Sequence, residues 1–202
     1  MAYSDFTAKD LGHKFGIKFR AEEFFPNLKP LSPSDWLQEA LELGRELGFG
    51  SEKSRSERLV SPVLLELSKL NRHEFSIYSG MNLDVDETTG LRGECDFIFS
   101  FSRIQDFITA PIFCITEAKK QDLGQGIIQC AAQLIGARKL NEEEGTTIET
   151  LYGCSTTGVE WRFLKYQKNE IVMDENRYLI NEPAKLLGAL QAVIDITKSE
   201  LA

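Results

Sequence analysis

The sequence predicts an α/β protein, and three observations carry that prediction. Two apolar alternating segments, Leu91–Phe101 and Pro111–Lys119, read as β-strands joined by a loop. Helical runs stand on either side of them, at Ser51–Asn71 and Gly124–Leu140. Two further alternating segments follow, Ile148–Ser155 and Val159–Gln167, joined at Thr156-Thr157-Gly158.

The elements follow in order. Asp10–Arg20 alternates apolar and polar residues roughly and predicts a short strand or extended arm. Pro26, Pro30 and Pro33 punctuate a loop. Ser32-Pro33-Ser34-Asp35 then starts a helix, with Ser32 as cap and Pro33 in its first position. That helix carries Trp36, Leu37, Ala40, Leu41 and Leu47 inward and stops near Gly48 or Gly50. In Ser51–Asn71, Leu59, Val63, Leu67 and Leu70 share one stripe, and Pro62 predicts a kink or restart. Phe75–Val85 is the first core strand, and Asp86–Gly90 the turn into the next. Asp84 and Asp86 border that turn and are expected to be solvated, while Asp106 lies in the following loop without an evident partner. Gly124–Leu140 packs Ile127, Ile128, Ala131, Leu134 and Ile135, while Gln125, Gln129 and Gln133 recur at i, i+4, i+8 along one face. Tyr178–Ile180 adds a short edge. A last helix, capped by Asn181, buries Leu186, Leu187, Leu190, Val193 and Ile194.

A chain of 202 residues suits one domain with a substantial core, divided here into an accessory segment (1–50), a central core (51–170) and a C-terminal helix region (171–202). A hydrophobic content of 42% favours a folded chain over a disordered one. No apolar run reaches membrane-spanning length, and MAYSDFTAKD has neither a basic nor an apolar leader region, so a cytoplasmic protein is expected. Cys95, Cys114, Cys130 and Cys154 are widely spaced and read as small buried hydrophobes, not as a zinc or disulfide set. His13 and His73 stand alone. The net charge of −8 opposes a broad nucleic-acid grip, since phosphate contacts need cations. Lys119, Lys120, Arg138, Lys139, Arg162, Lys165 and Lys168 could form a local basic rim or merely a solvated surface.

The chemistry concentrates in Gly90–Lys120. The two-residue strand period sets Glu94, Asp96, Ile98 and Ser100 on one face, with Cys95, Phe97, Phe99 and Phe101 on the other. Three phenylalanines suit a core, so Asp96 is expected to face away from them. In the next strand Phe113, Ile115, Glu117 and Lys119 share a face, and Glu117 and Lys119 stand roughly 6–7 Å apart at their Cα atoms. Two carboxylates about 4 Å apart repel by roughly 4 kcal/mol at an effective dielectric of about 20. Such a pair shifts its pKa values or recruits a cation. Hard oxygen donors suit Mg²⁺ or Mn²⁺, and a lysine beside the metal can orient a water and balance charge on a phosphate.

An acid on one strand (Asp96 in GECDF), Glu117-Ala118-Lys119 ending the next, and a glutamine-bearing helix (GQGIIQCAAQL) together resemble the PD-(D/E)XK, or restriction-endonuclease-like, nuclease superfamily. The resemblance covers Ser51–Phe163. It implies a mixed central sheet flanked by helices in α-β-β-β-α-β order, with the first fifty residues as an accessory layer. It also implies Mg²⁺ or Mn²⁺ held by Asp96, Glu117 and the backbone carbonyl of Ala118, with Lys119 positioning or activating the water. Gln129, or Gln133 in its place, would reach the metal-bound water or the phosphate. Glu57 matches the acid that the family often supplies from the preceding helix. Ser54-x-x-Glu57 equally fits a capping box, in which Glu57 only satisfies a backbone N–H. The implied reaction is hydrolysis of a nucleic-acid phosphodiester, DNA by family precedent and RNA still open. The competing expectations are an inactive binding or scaffold protein that retains the fold, and a subunit of a defence or repair assembly whose partner supplies the DNA surface. Homo-oligomerisation stays open.

Overall fold

Caps and stops decide the N-terminal quarter. Thr7 caps helix α1 (Ala8–Phe15) by accepting the Asp10 N–H, the Asp10 carboxylate returns to the Thr7 N–H, and Gly16 closes the helix at φ 69°. The strand or arm predicted from Asp10 therefore gives way to helix. Alternation over a few residues is weaker than a capping box with a glycine stop, and only Lys18–Glu22 is extended, as β1. Helix α2 (Asp35–Glu46) is capped by Ser34, not Ser32. Ser34 is also held from a distance: both oxygens of buried Glu66 accept from it, one from its N–H and one from its hydroxyl, each at 2.9 Å.

In this computed structural model, which describes residues 1–201, the helical run after Ser51 is broken into pieces. Helix α3 (Glu52–Arg55) is capped by a Ser51–Ser54 box, a π-helical turn spans Ser56–Val60, and α4 (Ser61–Leu70) follows. The wide turn lies immediately ahead of Pro62, which has no N–H to give the helix ladder. Then come β2 (Ser76–Asn82), β3 (Glu94–Ser100), β4 (Ile112–Ala118), α5 (Leu123–Glu143), β5 (Leu151–Thr156), β6 (Glu160–Gln167), β7 (Glu170–Asp174), β8 (Tyr178–Leu179) and α6 (Pro183–Leu201).

The eight strands form one mixed sheet in the order β1-β7-β6-β5-β4-β3-β2, with β8 paired to β6. The pair β4–β5 is parallel, as is β1–β7, and every other pairing is antiparallel. The α/β class and the mixed sheet flanked by helices agree with the sequence prediction. The N-terminal segment differs from it, because β1 is the edge strand of the main sheet and not part of a separate layer. Its neighbour β7 has no counterpart in the sequence prediction. It is reached from β6 through Lys168-Asn169, both with positive φ (50° and 59°), a two-residue turn of type I′ character. Lysine is a poor signal for such a turn, so the hairpin is hidden until its strands are seen to pair.

All seven residues of β4 are buried, as a central strand covered on both faces requires. Around it Phe75, Phe99, Phe101 and Phe113 form an aromatic cluster, and Phe25, Phe163 and Tyr178 form another beside β6. All four cysteines are buried, as expected of small hydrophobes in strands and a helix. Helix α5 lies across β4 and β5, while α4 packs against both α2 and α6. Among the described residues no helix is long and apolar enough to cross a membrane.

Candidate active site

The β3–β4 ladder pairs Phe97 with Thr116. Carried one step further, that register sets Asp96 opposite Glu117, and cross-strand partners share a face of the sheet. The last step is not an ordinary ladder rung. The Asp96 carboxylate itself accepts the Ala118 N–H at 2.7 Å. On its other side β4 stays tied to β5, through the Lys119 N–H donating to the Thr156 carbonyl at 2.7 Å. The end of β4 is thus pinned from both sides.

Glu117 is only 2% exposed. Its Oε1 accepts from the Lys119 ammonium at 2.8 Å and from the Gln129 amide at 2.5 Å, and its Oε2 accepts from Gln133 at 2.9 Å. The predicted glutamine face of α5 is therefore split. Gln125 is exposed, whereas Gln129 and Gln133 are buried against β4. One turn apart, their amides reach one carboxylate. Asp122 caps α5 and aims it at the strand ends. Gly126 lets its first turn settle there, since a Cβ at that position would clash with the Ser155 hydroxyl and lie 3.0 Å from the Lys119 side chain.

Burial pushes the Glu117 carboxyl up to about 7, and the neighbouring Asp96 carboxylate adds to the rise against the pull of Lys119. Asp96 is raised by burial too, opposed by the Ala118 N–H and by Lys119. For Lys119, burial favours the neutral amine, but the Glu117 carboxylate outweighs it and the ammonium is held above its usual range. Lys119 is thus a fixed positive charge and not a ready base.

The structure brings Asp96, Glu117, Ala118, Lys119 and Gln129 together and leaves Glu57 outside. Glu57 is exposed, with Lys53 at 3.8 Å. The acid from this helical segment that does approach is Glu52, whose Oε1 lies 3.9 Å from the Lys119 ammonium and whose Oε2 accepts the Lys120 N–H at 3.2 Å. The capping-box alternative for Glu57 does not hold either, because the box is formed by Ser51 and Ser54. Glu52 and Glu57 are five residues apart, about 140° around a straight α-helix, so only one of them can face Lys119. Gln133 could be found from sequence by its four-residue spacing from Gln129. Glu52 carried no such signal.

The carboxylates of Asp96 and Glu117 are hard oxygen donors of the type that suits a small divalent cation, although both Glu117 oxygens already accept hydrogen bonds. Burial raises both Asp96 and Glu117, and Asp96 adds to the rise of Glu117, a repulsion that a cation between them would relieve. Among the described residues no three His, Cys, Asp or Glu side chains converge as a ready-made metal cage. A cation held by Asp96, Glu117 and the Ala118 carbonyl would need water or substrate oxygens as its remaining ligands. The expected basic rim is largely engaged within the fold: Lys139 pairs with Asp86 at 2.5 Å, Lys165 pairs with Glu22, and Arg138 and Arg162 donate to backbone carbonyls. Asp86 is therefore bonded and not simply solvated, and Asp84 accepts the Gly93 N–H at 2.8 Å.

Comparison of the chain with protein-family models, with curated proteins and with solved structures gives no match, so the meaning of this site rests on its own residues.

Proposed function

We propose that this chain is a divalent-metal-dependent nuclease of the PD-(D/E)XK type, hydrolysing nucleic-acid phosphodiesters, with DNA the favoured substrate. The single observation that carries the reading is the meeting of Asp96, Glu117 and Lys119 at the paired ends of β3 and β4, with Glu117 clamped by two glutamines of α5. Asp96, Glu117 and the Ala118 carbonyl would hold Mg²⁺ or Mn²⁺. Such an ion supplies Lewis acidity, lowering the pKa of a bound water and neutralising phosphate charge. Lys119, kept protonated by Glu117, orients the attacking water and opposes negative charge growing on the phosphate oxygens. Gln129 and Gln133 fix the Glu117 carboxylate, so that little reorganisation is left for the reaction. Calorimetry with Mn²⁺ tests this reading. Saturable binding is expected in the wild type and lost in Asp96→Ala and Glu117→Ala, and unchanged binding in both variants would remove the proposed ligands.

Glu52, not Glu57, is proposed as the accessory acid. An ion pair this exposed contributes up to about 1 kcal/mol, so Glu52→Ala is expected to slow cleavage up to about fivefold. Glu57→Ala should cleave at the wild-type rate. Parallel assays of both variants on one labelled substrate check the assignment, and the reverse order of effects would restore Glu57.

A second reading, a non-catalytic binding or scaffold protein, is favoured by one observation. Every Glu117 oxygen already has a donor, and a cation must displace the Lys119 ammonium or an amide to reach it. Absence of Mn²⁺ binding together with intact oligonucleotide binding would select that reading.

A further inference from the structure

A different concave region lies at the far end of the same strands. Ser76 pairs with Ser100 across β2 and β3, so the region sits about 13 Å along β3 from Asp96. It is a cavity of about 710 Å³, between the end of α4, the start of β2 and the segment after β3. Volumes in this range suit a small organic ligand.

The lining is basic in an otherwise acidic chain. Arg72, His73 and Arg103 contribute to it, with Gln105 and Ser68 beside them and Phe75 as an apolar wall, and no carboxylate lines it. Arg72 and Arg103 are exposed, and neither makes an ion pair among the described residues. The adjacent carboxylate, Glu74, is bonded to the Lys198 ammonium, which pulls it down, and Arg72 and Arg103 add smaller pulls on it; one carboxylate thus stands among three cations.

The cavity is also preorganised. Ser76 donates to the Ser102 carbonyl at 2.8 Å and Tyr78 to the Ile104 carbonyl at 2.6 Å, which hold the backbone on either side of Arg103. The His73 Nδ1 lies 3.0 Å from the Ser68 hydroxyl, which orients the ring. The backbone at Arg72 and His73 is left-handed, with φ 52° and 57°. Arg72 occupies the position after the Asn71 helix cap where glycine is the easy choice, and the His73 N–H closes the turn on the Ser68 carbonyl at 2.9 Å. Two successive non-glycine residues in this conformation, both presenting polar side chains to one cavity, point from strain to function.

We propose that this cavity binds the phosphate group of a small, nucleotide-sized ester, at a site separate from the carboxylate centre and independent of the nuclease reading. Two guanidiniums supply charge-assisted donors to the phosphate oxygens, with the oriented imidazole beside them. Leu65, which is exposed, and Ile77 give the organic part an apolar surface.

The test is calorimetric titration of the full chain with adenosine 5′-monophosphate and with inorganic phosphate, in the absence of divalent metal. Saturable binding of the nucleotide is expected, with inorganic phosphate competing more weakly. Arg103→Ala and Arg72→Gly should each weaken binding by about tenfold or more, the size of one lost charge-assisted hydrogen bond. Arg72→Gly should also keep or raise the melting temperature, because glycine suits that backbone, so loss of binding cannot be ascribed to unfolding. Glu117→Gln should bind the nucleotide as the wild type does. Absence of saturable nucleotide binding, equal binding by the Arg72→Gly/Arg103→Ala double variant, or binding confined to a long oligonucleotide would each overturn the proposal.

Discussion

Lys119→Ala is expected to lower phosphodiester cleavage by about a thousandfold, the scale seen when one preorganised charge or donor is removed from a reacting centre. Lys119 faces Glu117 at 2.8 Å and is, among the described residues, the only ammonium within 4 Å of that carboxylate. Its removal leaves Glu117 buried beside Asp96 with amide donors alone. Breaking a buried pair by deleting one partner ordinarily costs about 3–5 kcal/mol. Here Glu117 already titrates near neutrality and can take a proton instead, so the stability loss should be smaller. Lys119→Arg separates the two consequences. A guanidinium can restore the ion pair and the melting temperature, but it carries its charge as a planar fork in place of a compact ammonium. Cleavage is expected to stay low in Lys119→Arg while stability returns. Full cleavage in either variant, with contaminating nuclease excluded by an Asp96→Asn control, would take Lys119 out of the reaction.

The second large effect is a change in how stability depends on pH. Glu117 is raised from an ordinary 4.5 to about 7 in the folded protein, first by burial and then by Asp96. Between those values the native state holds a proton that the unfolded chain has released. The stability due to this group is therefore fully present below about 4.5 and falls away as pH rises through about 7. Asp96 is raised as well and acts in the same direction. Metal-free wild type should lose stability across this window, by about 1–3 kcal/mol in order of magnitude. Glu117→Gln has no carboxyl there to titrate, so its profile should be flatter and its stability at pH 8 higher than that of the wild type. The neutral side chain also suits its surroundings, because Gln133 keeps an unpartnered amide oxygen in the buried site that the introduced amide N–H can meet. With Mn²⁺ the order should reverse at high pH. A cation that binds only the folded carboxylates stabilises the wild type and leaves Glu117→Gln unmoved. Urea denaturation over a pH series, with and without Mn²⁺, gives both curves. Identical pH profiles for wild type and variant would show that Glu117 is not the strained group.

The features legible in the sequence are those local in the chain. Phe97, Phe99, Phe113 and Ile115 made β3 and β4 legible, because strand alternation is a local pattern that survives folding. The two-residue period also set Glu117 and Lys119 on one face, and the four-residue period aligned Gln129 with Gln133. Which way that glutamine face turned was not local: it depends on how closely α5 approaches the sheet at Gly126. The helix in Ala8–Phe15 and the shift of the α2 cap to Ser34 came from side chains meeting their backbone partners, which outweighed a loose alternation. The β6–β7 hairpin had no turn signature, since Lys168 holds a positive φ only because the strands on either side are paired.

By itself, the sequence determined the α/β class, the central strand pair and the residue types able to hold a cation between them. Tertiary structure decided which acid accompanies them: Glu57 stands exposed beside Lys53, while Glu52, five residues earlier, lies beside Lys119. It also decided that Asp96 binds the Ala118 N–H and that Glu117 is sealed by two amides. Those contacts join segments far apart along the chain, where geometry is set by packing and not by the period of any one element.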